Sequence, residues 1–284
     1  MASGKRLNRS IGGSIFLFVV LAIFCFLMAL PLIYSLSTSL KPSDELFLYP
    51  PKFLVENPTF KNFKDLYRIM SSNLVPLSRY VFNTVFISVV GTAGHVLISS
   101  MCAYGLSKYR LPGGKLIFNT IVTTLMFTTA VTSIPTFLVF RFMGIIDTHL
   151  TLILPAFAAP LGLYLMKQFM DQMVPDTILE AARIDGAHEF HIFFRIVMPI
   201  VRPAWLTLII FSFQGLWNTA GSVFIYSEKL KTFNYAMSQI MLSGVARAGA
   251  GAAASVVMLL VPLVVFIVAQ SNVVETMATS GMKD

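Results

Sequence analysis

Six long apolar runs divide the chain, each bounded by charged or turn-forming positions. They fall at about Ser14–Tyr34, Tyr80–Tyr104, Leu116–Phe140, Leu150–Leu165, Ala204–Tyr226 and Ala252–Gln270. Each approaches the ~20 residues a helix needs to cross ~30 Å of hydrocarbon, so the pattern predicts an all-α membrane protein of six transmembrane helices. The fourth run is short and interrupted by Pro155 and Pro160. The first follows Lys5, Arg6 and Arg9 in the manner of a signal peptide. Its apolar core exceeds the roughly 7 to 15 residues of a cleaved signal, and it reads as a retained helix.

Between the fourth and fifth runs the period changes. Thr177 and Glu180 stand at capping-box spacing after Pro175, and Gly186 sits where a helix ends in a left-handed residue. This predicts a short helix from about Ile178 to Asp185. Beyond it, Phe190, Phe193, Phe194 and Val197 recur at i, i+3, i+4 and i+7, a second amphipathic helix that Pro199 stops. Periodicity alone leaves two readings of residues 175–203: a helix lying on the membrane surface, or a hairpin that seats against another protein. Small Ala181 and Ala182 beside Glu180 favour the second. They admit a close approach while leaving a carboxylate to pair with a basic group.

Composition agrees with a bilayer: mean hydropathy is +0.76, with 56% hydrophobic and 12% charged residues over 284 positions. The net charge of +8 does not indicate nucleic acid, because the basic residues are scattered at span ends and suit anionic headgroups better. Cys25 and Cys102 fall within spans without metal-ligand spacing and read as packing residues. One membrane domain over 1–284 is the simplest division. The spans contain no Asp, Glu, Lys or Arg, and His95 is their one imidazole, a packing histidine before a proton relay. Ion-coupled carriers usually place an ionisable group there, so energy enters from outside the spans.

Catalytic readings fare badly. His188, Glu189 and His191 fall one residue short of H-E-x-x-H, and no third ligand accompanies them, so no metal site is expected. No Gly-x-Ser-x-Gly elbow occurs, and Gly113, Gly114 and Lys115 lack the leading glycine and following Ser or Thr of a phosphate loop. The chain reads as no enzyme and binds no cofactor itself; if ATP drives it, another chain holds the nucleotide. Lys and Arg divide eleven against ten between the two sides. Six of the ten lie between Ser37 and Arg79, a long segment of low weight. Among compact loops, Lys108, Arg110 and Lys115 against Arg141 favour both termini and the Glu180 loop inside.

Glu180-Ala181-Ala182, Gly186, Ile196 and Met198-Pro199 resemble the coupling loop of bacterial ABC importer permeases, E-A-A, three residues, G, nine residues, I-x-L-P. Met198 replaces the usual leucine. The resemblance extends along the chain. It includes Pro31–Tyr67, Phe82-Asn83-Thr84, Ala103-Tyr104 with Lys108, Leu111-Pro112-Gly113-Gly114, Gly144, Asp147, Trp217-Asn218 and Ser280-Gly281-Met282-Lys283. Together these resemble the smaller six-span permease of the maltose-type carbohydrate uptake family, of type I importer architecture. That resemblance implies alternating access and a second homologous permease. It also implies two cytoplasmic ATPase subunits that use ATP and Mg, and an extracellular or periplasmic solute-binding protein. It implies the bacterial cell membrane as location. The implied coupling residues are Glu180, Ala181, Ala182, Asp185, Gly186, Phe190 and Pro199.

Gln214, Trp217 and Asn218 share one face of the fifth span and suit sugar hydroxyls and a ring face, with Asn119 as a further amide. Interhelical hydrogen bonding, with Trp217 as a packing or interface residue, explains them without a ligand and is the favoured reading of the two. Gly91, Gly94, Pro135, Pro155, Pro160 and Pro262 are candidate flexion points or ordinary packing features. A permease for another solute, a membrane scaffold and an intramembrane enzyme remain as alternatives.

Overall fold

The computed structural model describes residues 11–71, 75–221, 223–244 and 247–280, and among these every regular element is helical. The basic residues before Ser10 and the terminal Gly281-Met282-Lys283 lie outside them. In chain order the helices are α1 (Ile11–Leu40), α2 (Ser43–Leu46), α3 (Lys61–Ser71), α4 (Leu77–Lys108), α5 (Gly114–Thr124), α6 (Thr129–Phe142), α7 (Leu150–Phe157) and α8 (Pro160–Met173). Then follow α9 (Asp176–Ile184), α10 (Glu189–Ile192), α11 (Met198–Ile200), α12 (Arg202–Trp217), α13 (Phe233–Met241) and α14 (Ala248–Ser280). A π-helical turn, Phe193–Val197, joins α10 to α11.

Four stretches among the described residues are helical, long and apolar enough to cross a bilayer: Gly12–Leu40, Leu77–Lys108, Leu150–Met173 and Ala248–Val268. A fifth arises if Arg202–Trp217 is taken with Glu189–Ile200, to which it is bent by 81°. The apolar run Leu116–Phe140 is instead divided between α5 and α6. Near the break, Thr123 and Thr124 turn their hydroxyls back onto the carbonyls of Asn119 and Ile121 at 2.9 and 2.6 Å. Such back-bonding competes with the helical ladder and bends it. The run from Leu150 is broken before Pro160, because proline drives the preceding residue out of the helical region, and Ala159 is extended (φ −65°, ψ 120°).

The chain packs as two units. One comprises the chain to Ile69 with Ile240–Val257. Here α1 exposes most of its apolar circumference, while the stretch after Leu40 folds around buried polar anchors. The Asn62 amide donates to the carbonyls of Ser39 and Lys41 at 2.9 and 2.7 Å, and the buried Glu45 carboxylate accepts the Glu56 amide at 2.9 Å. The Lys41 ammonium donates to the Lys52 carbonyl.

The other unit, Met70–Gln239 with Met258 onward, is built on α4, against which α12, α8 and α7 pack. The buried positions of α4 recur every three or four residues and are mostly small or polar: Asn83, Thr84, Ser88, Gly91, Thr92, His95, Ser99, Ala103. Its larger apolar side chains, such as Phe82, Val89 and Leu97, point outward. This inversion suits a helix in lipid, where close packing of small residues replaces the hydrophobic drive. Gly91, Gly94 and Gly162 are close-packing positions: an added Cβ would lie 2.5 Å from Leu216, 2.1 Å from Phe157 and 2.2 Å from His95. His95 itself is buried and bonded, Nδ1 to Ser212 Oγ at 3.1 Å and Nε2 to the Ala159 carbonyl at 3.2 Å. Cys25 and Cys102, expected as packing residues, are exposed on the chain's own surface.

The candidate coupling hairpin

The hairpin's first helix begins two residues earlier than the capping-box spacing suggests. Helix α9 starts at Asp176 with Pro175 as its N-cap, and Thr177 lies inside it, so no side-chain cap forms. Its end matches the expectation. Gly186 has φ +78°; its amide donates to the Arg183 carbonyl at 3.1 Å, and the Ala187 amide to the Ala182 carbonyl at 3.0 Å. These paired bonds define a Schellman closure around a left-handed residue, with Asp185 as the exposed C-cap.

The expected four-residue apolar stripe is divided in two. Phe193 and Val197 are buried, together with Ile192 and Val201, whereas Phe190 and Phe194 are half exposed or more. The π-helical turn is the cause, since one extra residue per turn rotates successive side chains off a 3.6-residue stripe. Pro199 is exposed and does not stop the helix as expected: it sits in the first turn of α11, where a missing amide donor costs nothing, and helix runs on to Ile200. The 81° corner after Ile200 is fastened by the Trp205 indole, which donates to the Met198 carbonyl at 3.0 Å. The two alanines also part ways. Ala182 is buried in a cluster with Tyr104, Met166, Met170, Leu179, Phe193 and Val197, while Ala181 and Glu180 are exposed. Ala182 therefore serves the hairpin's own core, leaving Glu180, Ala181, Asp185, Phe190 and the 86%-exposed Ile184 as its outward face.

Side chains not expected to act in the hairpin hold it together. Arg183 Nε donates to Glu189 Oε1 at 2.7 Å across the Gly186 turn, and the Tyr104 hydroxyl donates to Glu189 Oε2 at 2.9 Å. The Arg183 guanidinium also lies 5.5 Å from the Tyr109 ring centre. Arg183, with Tyr109 and Tyr104 assisting against partial burial, pulls the Glu189 carboxyl down to about 2, so it stays ionised at physiological pH. Lys108 Nζ donates to the Val174 carbonyl at 2.7 Å and to Asp176 Oδ1 at 2.9 Å; that ammonium lowers the Asp176 pKa. A signal was present in the sequence, because Arg183 and Glu189 are opposite charges three residues either side of the turn glycine. His188 Nδ1 accepts the Phe190 amide at 3.4 Å and caps α10, so two members of the H-E-F-H run have structural partners.

The proposed path residues do not act as one face. Gln214, Asn218 and Asn119 are exposed. Trp217 is buried, its indole donating to the Met258 carbonyl at 3.3 Å while its ring stacks near Phe213, so it packs instead of presenting a sugar platform. At the other end of α4, the Asn83 amide donates to the carbonyls of Lys229 and Lys231 at 2.9 and 3.0 Å, and Thr84 Oγ1 accepts the Phe233 amide at 2.7 Å. Asp147, at φ +61°, accepts the amides of Tyr226 and Ser227 at 2.9 and 2.8 Å.

No family model matches the chain. It is 35% identical over 207 residues to YtcP of Bacillus subtilis (strain 168), the polygalacturonan/rhamnogalacturonan transport system permease protein, covering 72% of this chain and 69% of that one. It is 26% identical over 287 residues, all of both chains, to the inner membrane ABC transporter permease protein YcjP of Escherichia coli (strain K12). A chain from the crystal structure of a bacterial ABC transporter that imports the acidic polysaccharide alginate has the same fold. Its TM-score is 0.77 at 23% identity, over 94% of this chain and 99% of that one. With its apolar helices, these relatives make it a multi-pass membrane protein, and the chain belongs to the permease subunits of bacterial ABC importers for carbohydrates.

Proposed function

We propose that this chain forms one half of the translocation path for an oligosaccharide, operating by alternating access beside a second, homologous permease in the bacterial cytoplasmic membrane. The observation that carries the coupling role is the outward face of the hairpin: exposed Glu180 and Ala181 beside a left-handed Gly186, on a segment internally braced by Arg183 and Glu189. A braced hairpin transmits force where a loose loop would absorb it. Glu180 is the carboxylate offered to a basic group on one of two ATPase subunits, and the exposed Phe190 is a second, apolar contact. Those subunits use ATP and Mg, and a solute-binding protein delivers the sugar outside. The division of Leu116–Phe140 is then one span crossed as two half-helices, giving six spans with both termini inside. Gln214, Asn218 and Asn119, whose amides are exposed, remain the side chains proposed to meet sugar hydroxyls.

The relatives named for diacetylchitobiose, galactooligosaccharides and arabinooligosaccharides support the substrate class. One relative is named for sn-glycerol-3-phosphate, so the test spans both chemistries. The complex purified through this chain and reconstituted in proteoliposomes is expected to accumulate an oligosaccharide from a panel of neutral and uronic-acid sugars only when ATP is enclosed. Uptake of glycerol phosphate alone, or of nothing in the panel, overturns the sugar assignment.

Orientation is tested separately, after Cys25 and Cys102 are replaced by serine. Single cysteines at Tyr49 and Leu242, 93% and 78% exposed, are expected to react with an impermeant thiol reagent outside intact cells. One at Ile184 is expected to react only after the membrane is opened. External labelling at Ile184 would place the hairpin on the wrong side for an ATPase.

A further inference from the structure

We propose that α4 is the rod through which the hairpin's movement crosses the membrane, and that Glu189 is the positioning residue fastening hairpin to rod. Both arms of the hairpin end on the last turns of this one helix. Lys108 holds the start of α9 through Val174 and Asp176, and Tyr104 holds the start of α10 through Glu189. Arg183 ties the arms to each other through the same carboxylate. Glu189, on α10, therefore bonds at once to α9 and to α4.

The other end of α4 grips the opposite loop just as closely. Tyr80 donates to Glu228 at 2.6 Å, Asn83 to the carbonyls of Lys229 and Lys231, and Thr84 accepts the Phe233 amide. Between the two grips α4 is one unbroken helix of 32 residues without proline. At 1.5 Å per residue the rise from Tyr80 to Lys108 is about 42 Å, more than the thickness of the hydrocarbon layer. Two of its three glycines, Gly91 and Gly94, face Leu216 and Phe157 with no room for a methyl group, and the third, Gly105, stands in open space within the helix's last turns. A displacement of the hairpin thus shifts Tyr104 and Lys108, and through the helix the anchors of the 228–233 loop. By contrast, α5 and α6 are interrupted, and α7 and α8 meet at a proline break.

This inference rests on the hairpin's coupling role. The full complex in proteoliposomes is compared with Glu189→Ala, Glu189→Gln, Tyr104→Phe and Glu180→Ala. Sugar moved per ATP hydrolysed is the main readout, with co-purified ATPase subunits and the nucleotide-dependent change in thiol labelling at Lys229→Cys as the others. Glu189→Ala is expected to lower sugar per ATP by roughly tenfold, within the range of coupling between linked sites, and to flatten the labelling change while the ATPases still co-purify. Tyr104→Phe is expected to act in the same direction, and Glu189→Gln, which keeps an acceptor for Tyr104, to fall between wild type and alanine. An unaltered ratio and labelling response in both Glu189→Ala and Tyr104→Phe overturns the proposal. So does loss of the ATPases from both, because the contacts would then serve only the hairpin's fold. If Glu180→Ala changes neither co-purification nor uptake, the coupling role itself fails; if it does and the Glu189 and Tyr104 variants do not, only the rod is lost.

Discussion

Gly186→Val is expected to abolish ATP-driven uptake while the protein still inserts in the membrane. Nothing lies within 4 Å of a Cβ built on Gly186, so the substitution causes no clash. The cost is in the backbone: φ is +78°, a region that a β-branched residue occupies only under strain. Relieving that strain means abandoning the Schellman closure, and with it the alignment of Arg183 with Glu189. The second arm is then re-aimed, and Phe190 and Glu180 lose their fixed relation. Gly186→Asn, which tolerates the left-handed region, is expected to keep most of the uptake. Glu180→Ala, in contrast, removes one charge-assisted contact, of the kind worth about 1.5–3 kcal/mol, and weakens coupling only in part. Sugar uptake measured together with ATPase co-purification separates the three variants. Wild-type uptake by Gly186→Val would remove the hairpin from the mechanism.

Gly162→Ala is expected to destabilise the folded chain by about 1–3 kcal/mol, the usual cost of overpacking a close helix crossing. The new methyl group would stand 2.2 Å from His95 Nε2 and 2.7 Å from Ser99 Oγ. The His95 ring does not yield freely, since it is held by Ser212 on one side and the Ala159 carbonyl on the other. Substituting His95 makes room, so His95→Ala together with Gly162→Ala is expected to be more stable than the sum of the two single changes. Thermal unfolding of the detergent-purified chain measures this non-additivity. Strict additivity would mean that α4 and α8 adjust around the methyl group without engaging His95.

The Asn83-Thr84 pair and the Tyr104–Lys108 spacing were legible in the sequence as patterns without a role. Their role depends on distant segments, 228–233 and 174–189, which local reading does not bring near α4. Trp217 shows the same limit in reverse. Helical spacing places it beside Gln214 and Asn218, but the carbonyl of Met258 and the ring of Phe213 claim its indole.

By itself the sequence determined the apolar runs, the break between two short helices at Gly186, and the absence of a nucleotide loop. Each rests on local chemistry: hydrocarbon demands about twenty apolar residues, and a left-handed helix end selects glycine. It also located Pro155 and Pro160 as interruptions, because proline acts on its own neighbours. Tertiary structure alone decided which residues face which partner. The π-helical turn sent Phe193 inward and Phe194 outward against the 3.6-residue period, and burial divided Ala182 from Ala181. The Arg183–Glu189 pair was within reach of local reading, but Glu189 became the shared fastening of three helices because long-range packing brings Tyr104, 85 residues away, to the same carboxylate.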